Sequence, residues 1–128
     1  MAERSADWMA QAERDVEAAE AQRKAGFHEW ACFASQQAAE KACKAVLSRR
    51  GATAWGHSVR SLLEAIGGAG GDLLGAARLL DGHYVPARYP NGWADGAPKD
   101  LFKEEDAEHA ITGARGILRF CAGLLAGP

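Results

Sequence analysis

Apolar side chains recur every three or four residues along most of the chain, the spacing that places them on one face of an α-helix. The first such segment runs from about residue 5 to residue 24, with Ser5 placed to cap its N-terminus and Gly26 ending the pattern. Its apolar face consists of Trp8, Ala12, Val16 and Ala19. The pattern predicts an amphipathic helix whose charged residues face water.

The second segment, from about His28 to Arg50, is apolar on nearly two sides. Small side chains on one side let another helix approach closely, and the other apolar side needs a second partner, for which another subunit is one candidate. Gly51 is expected to end the helix, with Arg49 and Arg50 in a last turn where the helix dipole favours cations. The row of small residues is Ala31, Ala34, Ala38, Ala42 and Ala45.

Three further helices are expected in the second half of the chain. Ser58 is the predicted cap of a short helix with Val59, Leu62, Leu63 and Ile66 on one side. Asp72 is the predicted cap of a helix that follows the glycine run 67–71 and extends to about His83. The last helix, from about Glu104 to Leu125, begins with acidic residues that suit its N-terminal dipole. Its predicted buried face is Ala107, Ala110, Ile111, Ala114, Ile117, Leu118, Cys121 and Leu125.

A long connection from Val85 to about Lys99 separates the last two helices. It holds all three internal prolines, Pro86, Pro90 and Pro98, and two glycines. Loops of this length inside a small domain tend to carry function, so this segment is the first place to look for a site.

The composition agrees with a helical fold and excludes an ordinary sheet. The 128 residues include 28 alanines but only nine valines, isoleucines and threonines together, too few β-branched residues for a sheet of normal size. The length suits one domain over residues 1–128. We therefore expect an all-α, up-and-down four-helix bundle with one additional short helix.

Charge and cysteine content narrow the functional classes. The net charge of −2 gives no global attraction to nucleic acid, although a local basic patch is compatible with it. No apolar run is long enough to span a membrane, and the N-terminus lacks the apolar region of a signal peptide. The three cysteines lack metal or redox spacing, so we expect reduced, buried thiols, no metal site, no cofactor and a cytoplasmic protein.

Four segments resemble the HEPN family in order and spacing. They are the run Trp30–Ala45 with its QQAAEKA core, Trp55-Gly56-His57-Ser58, Leu80-Asp81-Gly82-His83-Tyr84, and Ala87-Arg88-Tyr89-Pro90. The resemblance implies a helical bundle, often a homodimer, that binds nucleotides or cleaves RNA. It also implies a partner, a minimal nucleotidyltransferase, in a toxin–antitoxin module.

The resemblance implies, for the ribonuclease branch of this family, a motif of an arginine, then four to six intervening residues, then a histidine. If Arg88 is that arginine, positions 93–95 hold Trp93, Ala94 and Asp95 instead. Arg23 and His28 have the right spacing, but they lie in the first turn between helices. The sequence therefore favours a nucleotide- or RNA-binding module. The alternatives are a metal-independent ribonuclease with a rearranged motif and a purely structural interaction module.

Candidate site residues follow from this resemblance and from their chemistry. Arg88 could bind a phosphate while Tyr89 stacks on a base. Alternatively, Arg88 caps a helix end or pairs with a carboxylate, and Tyr89-Pro90 packs the loop. His57 and His83 are the candidates for acid–base chemistry beside Arg88, although His57 could equally serve as a polar cap. The remaining candidate ligand contacts are Lys41, Tyr84 and Trp93. The polar residues Gln37, Glu40, Lys41 and Lys44 are expected to form a network on the second helix, and Trp8, Trp30 and Trp55 to be core or interface anchors.

Overall fold

The computed structural model describes residues 3–127, and every regular element within them is helical. Three long helices dominate the fold, and the remaining helices pack around them. The helices are α1 (Ser5–Lys24), α2 (His28–Arg49), α3 (Val59–Ile66), α4 (Gly71–Asp81), α5 (Pro98–Leu101) and α6 (Glu104–Ala126), with a 3₁₀ turn at Pro90–Gly92. The all-α class is thereby confirmed.

Helix α2 lies at the centre and packs against α1, α6, α3, α4 and α5. Four of the five alanines in its row of small residues are fully buried, and Ala34 is partly buried. Its second apolar side is covered by α6, α3 and α4 of the same chain, so that side does not by itself require another subunit. The two-sided pattern marks a central helix of the bundle.

Two predicted helix caps are wrong. Ser5 is the first residue of α1 and is buried, and its hydroxyl oxygen accepts a hydrogen bond from Arg49 Nε at 3.2 Å. Helix α4 begins at Gly71, so Asp72 lies inside its first turn, where its charge still suits the helix dipole. This helix also ends at Asp81, before His83, because the backbone tightens into successive short turns there.

The expected loop from Val85 to Lys99 is more ordered than predicted. Tight turns continue from α4 to Arg88, and the 3₁₀ turn and α5 follow. The Trp93 indole Nε1 donates to the Pro86 carbonyl oxygen at 2.7 Å, and Trp93 packs edge-on against Phe102 at 5.6 Å between ring centroids. Pro90 and Pro98 start the short helical turns, for which their fixed φ is suited.

The start of α3 is joined to the end of α4 by one carboxylate. Ser58 caps α3 as predicted, since its hydroxyl oxygen accepts from the Ser61 backbone N–H at 3.2 Å. The Asp81 carboxylate accepts from the Ser58 hydroxyl at 2.9 Å and from the backbone N–H groups of Val59 at 2.7 Å and Arg60 at 3.1 Å. Asp81 thus satisfies donors that would otherwise lack a partner at a helix N-terminus.

The core combines the apolar faces of these helices. The predicted face of α6 is buried from Ala107 to Cys121, and Leu125 is partly buried. All three cysteines are fully buried free thiols, as expected. Across residues 3–127, no helix has both the length and the hydropathy needed to cross a bilayer.

We expect Asp81→Ala to lower the free energy of unfolding by about 2–3 kcal/mol, because three hydrogen bonds to a charged group are lost. Asp72→Ala is the matched control, since Asp72 is exposed in a first helical turn and should cost less than about 1 kcal/mol. Urea denaturation of the two variants measures both values. Equal losses would contradict the role given to Asp81.

Candidate functional site

Arg88 is surrounded by aromatic rings. Its guanidinium carbon lies 4.4 Å from the ring centroid of Phe33, 4.6 Å from that of Tyr84 and 5.1 Å from that of Tyr89. Arginine stacks well on aromatic faces, because the rings attract its charge and its planar group is weakly hydrated. These ring contacts fix the Arg88 side chain without placing a negative charge against its guanidinium.

One of the three guanidinium nitrogens of Arg88 makes a hydrogen bond within the described residues. Arg88 Nε donates to the Tyr84 backbone carbonyl at 2.7 Å. Within residues 3–127, no carboxylate lies within ion-pair distance of Arg88, and its two terminal amino groups have no hydrogen-bond partner. Of the two expected structural roles, the pairing of Arg88 with a carboxylate does not occur among the described residues, and the bond to a carbonyl near the end of α4 occupies one nitrogen. The other two nitrogens are left for a ligand.

His57 reaches the same place from the loop before α3. Two buried polar residues one turn apart on α2 hold it there: Gln36 Nε2 donates to the His57 carbonyl at 2.8 Å, and Glu40 Oε1 lies 3.2 Å from His57 Nδ1. An ionised carboxylate can only accept hydrogen bonds, so this contact places the proton on Nδ1 and leaves Nε2 unprotonated in the neutral ring. The imidazole side chain remains 56% exposed.

Tyr84 joins the arginine to the histidine. Its ring is stacked with the His57 imidazole, with 4.7 Å between centroids and 18° between planes. Arg88 lies over the same ring at 4.6 Å. We call Phe33, His57, Tyr84, Arg88 and Tyr89 the Arg88 cluster.

The polar residues on α2 form an intramolecular network, as expected. Lys44 Nζ lies 3.0 Å from Glu40 Oε2, and Gln37 Nε2 donates to Glu40 Oε1 at 3.3 Å. Lys41 is paired with Asp15 of α1 at 2.6 Å. A groove of about 670 Å³ lies beside Lys41, but its other walls are residues of α1 and the residue that precedes it, so Lys41 borders a different surface from the Arg88 cluster.

Trp93 and His83 also lie outside the Arg88 cluster. Trp93 is partly buried against Phe102, with its indole N–H bonded to the backbone. The His83 ring also packs against Phe102, at 5.4 Å between centroids, and its Nε2 is buried without a partner among the described residues. Both line a groove of about 440 Å³ between α4 and α5. Of the two candidate histidines, the structure places only His57 beside Arg88.

Phe33, Gln36 and Glu40 are the contributors that the sequence analysis did not assign to this site. Their spacing along α2 is three and then four residues, which places all three on one face of the helix. A glutamine and a glutamate four residues apart, among the small apolar residues of α2, were the available signal. No group of three or more metal-ligating side chains occurs within residues 3–127.

Two of the expected tryptophan anchors are exposed. Trp55, in the loop before His57, is 84% exposed, and Trp30, next to Phe33 on α2, is 42% exposed. Trp8 is partly buried and packs on the core. Of these three, only Trp8 packs on the core. Trp30 contacts Phe33 edge-on at 6.3 Å between ring centroids, and a role as interface anchors stays a prediction for Trp30 and Trp55.

The burial of His83 predicts how stability depends on pH. Desolvation lowers the pKa of His83 below its ordinary value, and the nearby Asp106 charge opposes this only partly. The unfolded chain therefore binds the proton more readily, so this contribution to stability is complete above about pH 6.5 and is lost as the pH falls towards the folded pKa.

We expect wild type to lose more stability than His83→Gln between pH 7.5 and pH 5, as measured by urea denaturation at each pH. His109→Gln, at an exposed position on α6, is the control and should follow the wild-type profile. Parallel profiles for wild type and His83→Gln would contradict this account of His83.

Similar proteins share both the sequence and the fold. Residues 5–124 match the HEPN domain. The chain is 37% identical to TT1696 from Thermus thermophilus, with a TM-score of 0.93 over 96% of this chain and 99% of that one. It is 42% identical to ST0689, an archaeal HEPN homologue, with a TM-score of 0.83 over 95% and 98% of the two chains.

A third structure, of an HEPN domain protein from Thermotoga maritima, is 37% identical, with a TM-score of 0.77 over 95% of this chain and 99% of that one. No curated protein matches the chain. The domain match extends over nearly the whole sequence and is supported by these structures, so the chain belongs to the HEPN domain family.

Proposed function

We propose that this HEPN domain binds a nucleotide or RNA at the Arg88 cluster. The observation that carries the proposal is the guanidinium of Arg88, which is fixed among three rings while its two terminal amino groups lack partners within the described residues. A planar, permanently charged group with free donors is suited to two-point hydrogen bonding of a phosphate. The side chain is ordered before binding, so little rotamer entropy is lost when the ligand arrives.

The rings around Arg88 supply a second kind of contact with the ligand, which is stacking on a base. Tyr89 is 49% exposed and adjoins the guanidinium, so a base attached to the bound phosphate has a surface on which to stack. Each stacked base typically contributes about 1–3 kcal/mol. A ligand that carries both an anionic phosphate and a flat base uses both parts of the cluster, whereas inorganic phosphate uses only one.

We expect Arg88→Ala to weaken binding of a short single-stranded RNA at least about tenfold, because a charged hydrogen bond is worth about 1.5–3 kcal/mol. Arg119→Ala is the matched control: it removes the same charge from an exposed position on α6 and should leave the affinity close to wild type. Fluorescence anisotropy with labelled RNA measures both. Binding by Arg88→Ala equal to that of wild type would overturn the assignment.

The partners that the family resemblance implies form part of the proposal. We propose a minimal nucleotidyltransferase as the protein partner, a second copy of the chain as the oligomeric partner, and the cytoplasm as the compartment. Three buried thiols with no disulfide among them are compatible with a reducing compartment. Co-purification with a nucleotidyltransferase encoded beside this gene tests the first, and light scattering of the purified chain tests the second.

A second candidate function, metal-independent RNA cleavage, is favoured by the arrangement around Tyr84. Glu40 orients His57 with Nε2 open, and the cation of Arg88 lies over the same tyrosine ring. An imidazole nitrogen can accept the proton of a ribose 2′-hydroxyl, and the guanidinium can stabilise the charge that develops on the phosphate. His57 would then take the role of the histidine that is absent after Arg88.

For this second function we expect wild type to cleave a labelled RNA in EDTA, and His57→Ala to lose the activity by about 10²–10⁴-fold, the usual contribution of a general acid–base group. His109→Ala is the control and should cleave at the wild-type rate. Gel analysis of RNA fragments measures both rates. Wild type that binds RNA but leaves it intact would restrict the domain to binding.

A further inference from the structure

We propose that the groove between α4 and α5 is a docking site for a segment of a partner protein that carries an apolar side chain next to an acidic residue. The groove has a volume of about 440 Å³, and Arg88 is not among the residues that line it. The inference is therefore independent of the proposed function. We call this surface the α4–α5 groove, and the lining residues that matter most are Arg78, Leu79, His83, Trp93, Leu101 and Asp106.

The inner wall of the α4–α5 groove is apolar and rigid. Trp93 and His83 both pack edge-on against Phe102. The Trp93 indole is also bonded to the Pro86 carbonyl. The backbone comes equally close at Gly92, where an added Cβ would lie 3.2 Å from Pro86 Cα. The wall is therefore formed before a ligand arrives, so binding requires little reordering of it.

Two large aliphatic side chains stand at the rim of the groove. Leu79 of α4 is 46% exposed, and Leu101 of α5 is 36% exposed. Exposed leucines beside an aromatic wall form an apolar patch of the kind that marks protein interaction sites. The patch offers a place for one apolar side chain of a partner, which the two leucines would flank.

Arg78 adds a positive charge at the same rim. It is exposed, and no carboxylate within residues 3–127 lies within ion-pair distance of it. Asp81, one turn further along α4, binds the N-terminal donors of α3 instead. Glu64, which shares a neighbouring groove with Arg78, is paired with Arg60 at 2.8 Å. The Arg78 charge is thus available to a partner.

The other ionisable groups of the groove do not cancel this charge. Asp106 Oδ2 accepts a hydrogen bond from the Lys103 backbone N–H at 2.8 Å in the first turn of α6, where the helix dipole offsets a negative charge. His83, near Asp106, is neutral at neutral pH because burial lowers the pKa of His83. Among the described residues, the charge that lacks a complement here is positive, so the complementary ligand group is a carboxylate.

The shape of the groove favours a protein segment over a small molecule. Sites for small molecules bury most of the ligand surface. Here Arg78, Leu79 and Leu101 are all exposed, so the groove is open along its rim and would leave much of a small ligand in water. A protein segment brings neighbouring residues that cover both leucines while one side chain occupies the groove.

The first experiment titrates blocked tetrapeptides into the ¹⁵N-labelled chain and follows the Trp93 indole N–H. In the first peptide, phenylalanine and leucine are flanked by aspartates; in the second they are flanked by lysines; in the third, serines replace the two apolar residues between aspartates. We expect the first peptide to shift the Trp93 signal at millimolar concentration and to bind about fivefold more tightly than the second, as suits an exposed ion pair. The third peptide should cause no shift. The Trp8 indole, on another surface, is the internal control.

Reversal of the charge at Arg78 tests the electrostatic part. Arg78→Glu should bind the lysine-flanked peptide more tightly than the aspartate-flanked one, because the attraction and the repulsion exchange places. A side chain that only supports the fold would not reverse the preference. Arg119→Glu, at an exposed position on α6, is the matched control and should keep the wild-type preference.

Removal of an apolar rim residue tests the other part. Leu79→Ser should lower the affinity for the aspartate-flanked peptide about tenfold, because the partner side chain loses a buried contact. Leu124→Ser is the control, since Leu124 is 39% exposed on the last turns of α6 and lies away from the groove. It should bind the peptide like wild type.

The remaining outcomes would overturn the inference. They are an unshifted Trp93 indole with every peptide, and equal affinity of wild type for the aspartate-flanked and lysine-flanked peptides. If Leu79→Ser lowers the mass measured by light scattering and Leu124→Ser does not, a second copy of the chain covers the groove and the inference is wrong. Arg88→Ala should bind the peptide like wild type, which keeps this test separate from that of the proposed function.

Discussion

The arrangement depends on two buried polar side chains on the central helix. Gln36 is fully buried and Glu40 is 4% exposed, on a helix whose other buried residues are apolar apart from Ser35. A buried amide or carboxylate without a partner would cost several kcal/mol, so the surrounding structure must supply partners. It does so with the backbone and ring of His57 and with Lys44. Because Gln36 and Glu40 of α2 need hydrogen-bond partners, the loop that carries His57 is fixed in position. This loop buries few apolar side chains of its own.

Asp81 is a second polar anchor, at the point where the loop that carries His57 meets α3. Asp81, the last residue of α4, satisfies the N-terminal donors of α3, and α3 directly follows the loop that holds His57. Tyr84 comes three residues after Asp81, where the chain turns away from α4. The Asp81 carboxylate therefore holds the end of α4, from which the chain leads to Tyr84, against the start of α3, where the loop that carries His57 ends. This accounts for the stacking of two rings that are far apart in sequence.

Much of the fold can be predicted from the sequence, because helical periodicity and glycine breaks are local signals. They locate every long helix within a residue or two. The cap predictions fail at Ser5 and Asp72 because a serine or aspartate near a helix start satisfies the same local rule at several positions. The ordered turns between Pro90 and Leu101 cannot be predicted from the sequence, because they depend on the packing of Trp93 against Phe102, which is a tertiary contact.

The site can be predicted only in part. Arg88, Tyr89 and Tyr84 are close in sequence, and the family resemblance adds His57. Lys41 is a reasonable candidate by charge, but its pairing with Asp15 depends on how α1 packs on α2. His83 and Trp93 lie near Arg88 in sequence and yet face Phe102, because the chain reverses between them. Proximity in sequence is a poor guide within such a tightly turned segment.

The most direct test of this account maps the bound ligand by ¹⁵N NMR, with adenosine octanucleotide titrated into the labelled chain. If the ligand binds at the Arg88 cluster, we expect shifts at the Arg88 Nε–H and at the backbone of Tyr84, Tyr89 and His57, with Arg119 unchanged. Shifts confined to the groove that Trp8 and Lys41 line, with Arg88 unperturbed, would contradict it. They would place the ligand on α1 and leave the Arg88 cluster as a structural feature of the bundle.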